Sequence, residues 1–215
     1  MRAAALLAFV VLAVTGASTA FAEDPALDQR VRRFLEKNRG EWRDMNVPWV
    51  DGQILHDLVV KNRFRRALEI GTSTGHSSVW IAWGLSQTGG KLTTIEIDPS
   101  RHADALRNLE EAGVAALVDA RLADAHDLVK QLPGPWDFVF SDADKGWYLQ
   151  YFKDLEPKLD VGGCFTAHNV LRSGGGGADT FLDYVKKLPN YRTTVETGSG
   201  EGISISCKLS HTPSR

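Results

Sequence analysis

From Ala67 onward, short apolar runs and amphipathic stretches take turns along the chain, and this alternation limits the possible folds more than any other feature. The runs 67–71, 91–97, 117–121, 136–141 and 161–168 are strand-like, while 76–88, 99–112, 125–132, 147–157 and 178–188 have helical spacing. Strands separated by helices pair in parallel, and the helices then cover both faces of the sheet. The expectation is a doubly wound α/β domain. The runs 191–197 and 202–208 have only Gly198-Ser199-Gly200-Glu201 between them, which predicts a closing hairpin.

Two helices precede this core. Asp24-Pro25 opens the first, with Leu27, Val31, Phe34 and Leu35 on one face. The second carries Ile54, Leu55, Leu58 and Val59, and Asp51 is read as its cap. The helix at Pro99 is the best punctuated: Asp98 caps it, Ala103, Leu106 and Leu109 share a side, and Gly113 stops it. Gly174 to Gly177 reads as a flexible connection, or more sharply as a lid.

Residues 1–22 have one early arginine, an apolar stretch from Ala3 to Val14 and an Ala20-Phe21-Ala22 end, the pattern of a secretory signal peptide. The expectation is export to a periplasm or the exterior, with anchoring by an uncleaved signal as the alternative. Residues 23–215 then form one domain, with N-terminal helices over 23–62 and an α/β core over 63–215. The 25 basic and 27 acidic residues are interspersed, which excludes nucleic acid and an anionic membrane surface as expected partners. Cys164 and Cys207 lack CxxC spacing and sit in apolar runs. Buried free thiols are expected, with a bond between them left open.

The chemistry-bearing residues fall at strand ends. In Trp136 to Lys145 (WDFVFSDADK), alternating Phe138 and Phe140 form a strand that delivers Asp142, Asp144 and Lys145 to its carboxyl end, where open α/β sheets place ligands. In ALEIGTSTGHSS (67–78), Gly71 and Gly75 let backbone approach a ligand, but Ser73 replaces the middle glycine of GxGxxG and argues against a nicotinamide dinucleotide. Glu96 ends the second strand, where an acceptor-only carboxylate suits two ribose hydroxyls.

Glu69, Gly71, Gly75, Glu96 and Asp124-Ala125 together resemble the S-adenosylmethionine site of class I methyltransferases. MNVPWVDG (45–52), Asp142-Ala143-Asp144-Lys145 and His168-Asn169 resemble the cation-dependent O-methyltransferases typified by the catechol and caffeoyl-CoA enzymes, over about residues 40–208. The resemblance implies a Rossmann-like methyltransferase fold with a mostly parallel seven-stranded sheet and a C-terminal antiparallel hairpin. It implies that Met45, Asn46 and Val47 line the cofactor, that Gly71, Thr72, Ser73, Gly75 and Ser77 wrap its amino acid portion, and that Glu96 and Ile97 hold its ribose. Glu69 belongs to the same site, Asp124 and Ala125 border the adenine, and Asp142 touches cofactor and metal alike. Asp142, His168 and Asn169 would bind a divalent metal, with Lys145 and Asp142 as the catalytic residues.

The implied partners are a small hydroxylated aromatic acceptor and a second copy of the chain. Trp42, Trp49, Trp147 and Tyr148 are candidates for the acceptor pocket. His168 departs from the family pattern, which has aspartate there, and imidazole favours a transition metal such as Mn, Zn or Fe over Mg. Export also separates the protein from a cofactor made in the cytoplasm. Those departures keep open a non-catalytic binding protein with the same fold, or methyl transfer without metal.

Overall fold

The computed structural model describes residues 24–42, 45–171 and 176–211. The expected signal segment 1–22 and Gly174 and Gly175 of the glycine tract lie outside the described residues. Helices α1 (Pro25–Lys37) and α2 (Trp49–Asn62) precede an alternating series: β1 (Arg66–Ile70), α3 (His76–Thr88), β2 (Lys91–Glu96), α4 (Pro99–Ala112), β3 (Val118–Leu122) and α5 (Ala125–Gln131). Then follow β4 (Trp136–Ser141), α6 (Tyr148–Leu155), β5 (Leu159–His168), α7 (Ala178–Val185), β6 (Tyr191–Glu196) and β7 (Ile203–Lys208).

The seven strands form one sheet in the order β3-β2-β1-β4-β5-β7-β6. β1 to β5 are parallel, β7 runs antiparallel to β5, and β6 antiparallel to β7. The strand order reverses beside β1, so the carboxyl ends of β1 and β4 flank a crevice suited to a ligand.

Period-two alternation sorts the strands' side chains between two cores. Leu68, Ile70, Val139, Phe165 and Ala167 pack with α5, α6 and α7 residues such as Val129, Phe152 and Phe181. Ala67, Phe138, Phe140 and Cys164 face the other way, against Leu55 and Val59 of α2 and Ile81 and Leu85 of α3. His168 stands four residues beyond Cys164 in β5 and therefore shares the α2 face.

Three local expectations are corrected. Asp51 does not cap α2; Pro48 occupies that position, and Asp51 sits in the first turn, 1% exposed, facing the sheet. On α4 the buried side is Ala105, Leu109 and Ala112, whereas Leu106 is exposed, because the helix rests on α1, α3 and β3 through that stripe. Cys164 and Cys207 are not free thiols but a disulfide. They stand directly opposite each other in the antiparallel β5–β7 ladder, a pairing that depends on strand register. The caps at Asp24, Asp98 and Gly113 match the expectations, as Asp98 Oδ1 accepts from Ser100 N at 2.8 Å and Arg101 N at 2.9 Å.

Candidate active site

A cavity of about 630 Å³ opens at the carboxyl ends of β1, β2, β4 and β5. Its first wall is the turn after β1. Gly71 has φ +98°, and a Cβ there would lie 2.8 Å from the Asp142 carbonyl oxygen, so only glycine lets β1 and β4 leave the sheet side by side. Ser73, at φ 49°, donates its backbone N–H to Glu96 Oε2 at 2.7 Å. Glu96 Oε1 accepts from Ile97 N at 3.0 Å and Asp98 N at 2.9 Å, which fixes the carboxylate at the cavity wall.

The Met45–Pro48 segment closes this side, and His76 anchors it. Its Nδ1 contacts the Val47 carbonyl at 2.9 Å and its Nε2 accepts from Trp80 Nε1 at 3.0 Å, an arrangement suited to the neutral ring. Burial lowers the His76 pKa to about 4, against the opposing pull of the Val47 bond. Asn46 adds a bond from Nδ2 to Thr74 Oγ1 at 2.8 Å. Among the described residues, four non-glycine positions have positive φ, and three of them, Met45, Ser73 and Asn169, line the cavity. Left-handed backbone at non-glycine residues costs energy and concentrates at ligand sites.

Asp124 and Ala125, which the resemblance places beside the adenine, line the cavity at the start of α5, where Asp124 Oδ1 accepts from His126 N at 2.8 Å. Of the residues expected from the resemblance to contact the cofactor, Met45, Asn46, Gly71, Ser73, Glu96, Ile97, Asp124, Ala125 and Asp142 line the cavity. Val47, Glu69, Thr72, Gly75 and Ser77 do not; they support the wall from behind. Glu69 points into the protein, accepting from Thr94 Oγ1 at 2.6 Å and from Ser78. Burial raises its pKa to about 7, although the hydroxyls of Ser77, Ser78 and Thr94 pull it down.

The other wall holds a linear cluster. Lys145 Nζ donates to Asp142 Oδ1 at 2.6 Å, Asp142 Oδ2 contacts His168 Nδ1 at 3.0 Å, and His168 Nε2 contacts Asp51 Oδ2 at 2.8 Å. Burial lowers the His168 pKa, but the hydrogen bonds and charges of Asp142 and Asp51 prevail and hold it at about 9. Asp51, read from the sequence as a helix cap, is the member that was missed, and it lies buried behind the lining residues; Glu201, Arg101, His126 and Tyr151 line the cavity without a sequence signal that marked them. Trp42, Trp49, Trp147 and Tyr148 do not line it. Trp42 stacks on His76 with centroids 4.5 Å apart, Trp49 meets Trp80 edge-on at 5.0 Å, Trp147 stacks on His126 at 3.7 Å, and Tyr148 is fully buried.

The residues expected to bind a divalent metal make contacts with other side chains of the protein. Both ring nitrogens of His168 face carboxylates, both Asp142 oxygens are engaged, and Asn169 Nδ2 donates to Glu201 Oε2 at 2.9 Å. No group of three or more His, Cys, Asp or Glu suited to a metal occurs among the described residues.

The sequence pattern of the family described as O-methyltransferase matches residues 17–187. A catechol O-methyltransferase from Niastella koreensis is 36% identical over 127 residues, 57% of each protein. One from Mycobacterium tuberculosis is 35% identical over 86% of this chain and 82% of its own length. A caffeoyl-CoA O-methyltransferase from Zinnia elegans is 30% identical over 83% of this chain and 74% of its own. Among solved structures, the O-methyltransferase TomG of Streptomyces achromogenes in complex with SAM superposes with TM-score 0.70 at 28% identity, covering 90% of this chain and 93% of that one. The Bacillus cereus O-methyltransferase in complex with SAH gives TM-score 0.70 at 26% identity, covering 88% and 93%. With this fold, this cavity and these relatives, the chain belongs to the O-methyltransferase family.

Proposed function

We propose that the protein transfers a methyl group from S-adenosylmethionine to a hydroxyl of a small aromatic acceptor. The observation that carries this reading is one cavity with two unlike walls: a backbone-built wall ending at Glu96, and a wall bearing the Lys145–Asp142 ion pair. S-adenosylmethionine, when bound, supplies a sulfonium methyl carbon as electrophile. Glu96 offers its carboxylate to ribose hydroxyls, and the turn through Gly71 and Ser73 accommodates the amino acid portion closely.

A phenol, with a pKa of about 10, is a weak nucleophile at neutral pH and must be helped to ionise. Lys145, ion-paired with Asp142, offers that help as an ammonium: its charge and a hydrogen bond favour the acceptor oxyanion. The oxyanion forms the new O–C bond as the S–C bond breaks, the electron pair returns to sulfur, and the phenolic proton passes to water. The resemblance implied a metal-assisted step; the step set out here is carried by the chain's own Lys145 and Asp142. The names of the catechol and caffeoyl-CoA relatives support an aromatic acceptor.

Calorimetric titration of S-adenosylhomocysteine into the protein, followed by a mass-spectrometric screen of phenols and catechols for added methyl, tests the reading. Saturable binding with methylated product is expected; no binding would sink it. Export rests on the apolar run in residues 1–22, and amino-terminal sequencing from the native host tests it. Pairing of two copies rests on the resemblance, and light scattering tests it.

A further inference from the structure

Asp51 has no role in the reaction as set out above, yet it is a carboxylate 1% exposed to solvent, and buried carboxylates are costly unless paired. Its partner is His168, which is also buried and lies 117 residues away in sequence. The ring's other nitrogen meets a second carboxylate, Asp142, at 3.0 Å. Carboxylates accept hydrogen bonds and do not donate them, and a neutral imidazole has one N–H. Two carboxylate partners are both satisfied when the ring carries two N–H groups and one positive charge. The cluster then alternates in sign, Asp51, His168, Asp142, Lys145, and its charges cancel.

We propose that the Asp51–His168–Asp142 cluster is a built-in cation site filled by the protein's own imidazolium, so that methyl transfer needs no divalent metal and accepts aromatics with a single hydroxyl. This rests on the proposed O-methyl transfer. In this arrangement Asp51 is a positioning residue. It holds His168, which holds one oxygen of Asp142, leaving the other oxygen to aim Lys145 at the acceptor. A divalent ion would have to displace a proton or an ammonium from a cluster already neutral and saturated. Without a metal to chelate, a vicinal diol has no advantage in orientation over a lone phenol.

The test uses the full chain saturated with S-adenosylhomocysteine and reads Mn²⁺ uptake by paramagnetic resonance. Wild type is expected to leave the free Mn²⁺ signal unchanged, while His168→Asp, which brings three carboxylates together, takes up one equivalent. Uptake of one equivalent by wild type that Asp142→Asn abolishes would overturn the proposal. In turnover, a phenol with one hydroxyl and a matched catechol are both expected to react in the presence of a chelator at rates within about twofold of those without it. Loss of turnover on chelation, or reaction confined to the catechol, would also overturn it.

Asp51→Asn is expected to lower kcat about 10- to 100-fold, with acceptor KM and S-adenosylhomocysteine affinity within about threefold of wild type, and Asp51→Glu to recover part of the loss. Parallel loss of cofactor affinity and kcat would make Asp51 merely structural and defeat the positioning role. If the chain binds no S-adenosylhomocysteine, the proposed function fails, whereas Mn²⁺ uptake by the cofactor-free chain still decides what fills the cluster.

Discussion

The two walls of the cavity are built on different principles. At the ends of β1 and β2 the wall is main chain held by near neighbours: Ser73 reaches Glu96 across 23 residues, and Glu96 binds the N–H groups one and two residues beyond it. At the ends of β4 and β5 the wall is side chains, and its deepest link, His168 to Asp51, spans 117 residues and joins a strand to a helix outside the alternating series. A wall made of local backbone turns tolerates little change in residue type at its glycine. A wall made of a charge relay depends on every partner and on the packing that delivers it.

Gly71 sits at the seam, and its replacement is expected to break both walls. Gly71→Ala would put a Cβ 2.8 Å from the Asp142 carbonyl oxygen in backbone at φ +98°. We expect loss of cofactor affinity by about 100-fold or more, or loss of the folded state. Calorimetry with circular dichroism distinguishes these, and near-normal binding would show the seam to be looser than its geometry.

Lys145→Met separates the walls. Removing the ammonium should reduce turnover about 100- to 1000-fold while leaving cofactor affinity within about threefold. A parallel fall in affinity would mean that the walls are one unit.

The disulfide tests whether the acceptor wall needs its strand clamped. Cys164 and Cys207 close a loop with sequence separation 43, so Cys164→Ser combined with Cys207→Ser should cost on the order of 3–4 kcal/mol in denaturant unfolding. Cofactor affinity should be unchanged, because the clamp lies on the β5–β7 side of the sheet.

Glu69 sharpens the comparison from the cofactor side. Its pKa is about 7 in the folded protein against 4.5 ordinarily, so the folded state holds an extra proton between those values. Its contribution to stability is full below about 4.5 and is lost as pH rises through 7, a change on the order of 3 kcal/mol. Glu69→Gln should abolish this slope, so stability of wild type minus variant should fall between pH 4.5 and 8. His76, whose pKa is lowered to about 4, acts in the opposite sense, losing its contribution as pH falls from 6.5. It is common to both proteins and cancels in the difference. An unchanged difference would mean that Glu69 is ionised in the fold at acidic pH.

Much of the fold was legible before any coordinates, because its signals are local. The caps at Asp24 and Asp98, the stop at Gly113 and the alternation from Ala67 each act within a few residues, and each appears where expected. Gly71, Ser73 and Glu96 were legible for the same reason, since a turn's glycine and a strand-end acid have a recognisable spacing. Asp51 was misread because a helix-start acid looks the same whether it caps the helix or faces the sheet. The aromatic residues were misplaced because Trp147 and Tyr148 come just after the Asp142–Lys145 segment, yet Tyr148 is fully buried and the half-buried Trp147 stacks behind His126, while His126 and Tyr151 line the cavity.

The sequence by itself therefore determined the α/β class, the parallel core with its hairpin, and the backbone wall with Glu96, because chain periodicity, capping and glycine geometry operate over short separations. Tertiary structure alone decided that Cys164 meets Cys207 across the β5–β7 register, that Glu69 turns away from the cavity, and that Asp51 meets His168. Those outcomes depend on which faces of distant elements pack together, and that packing turned a lone histidine at a strand end into the middle of a buried line of charges.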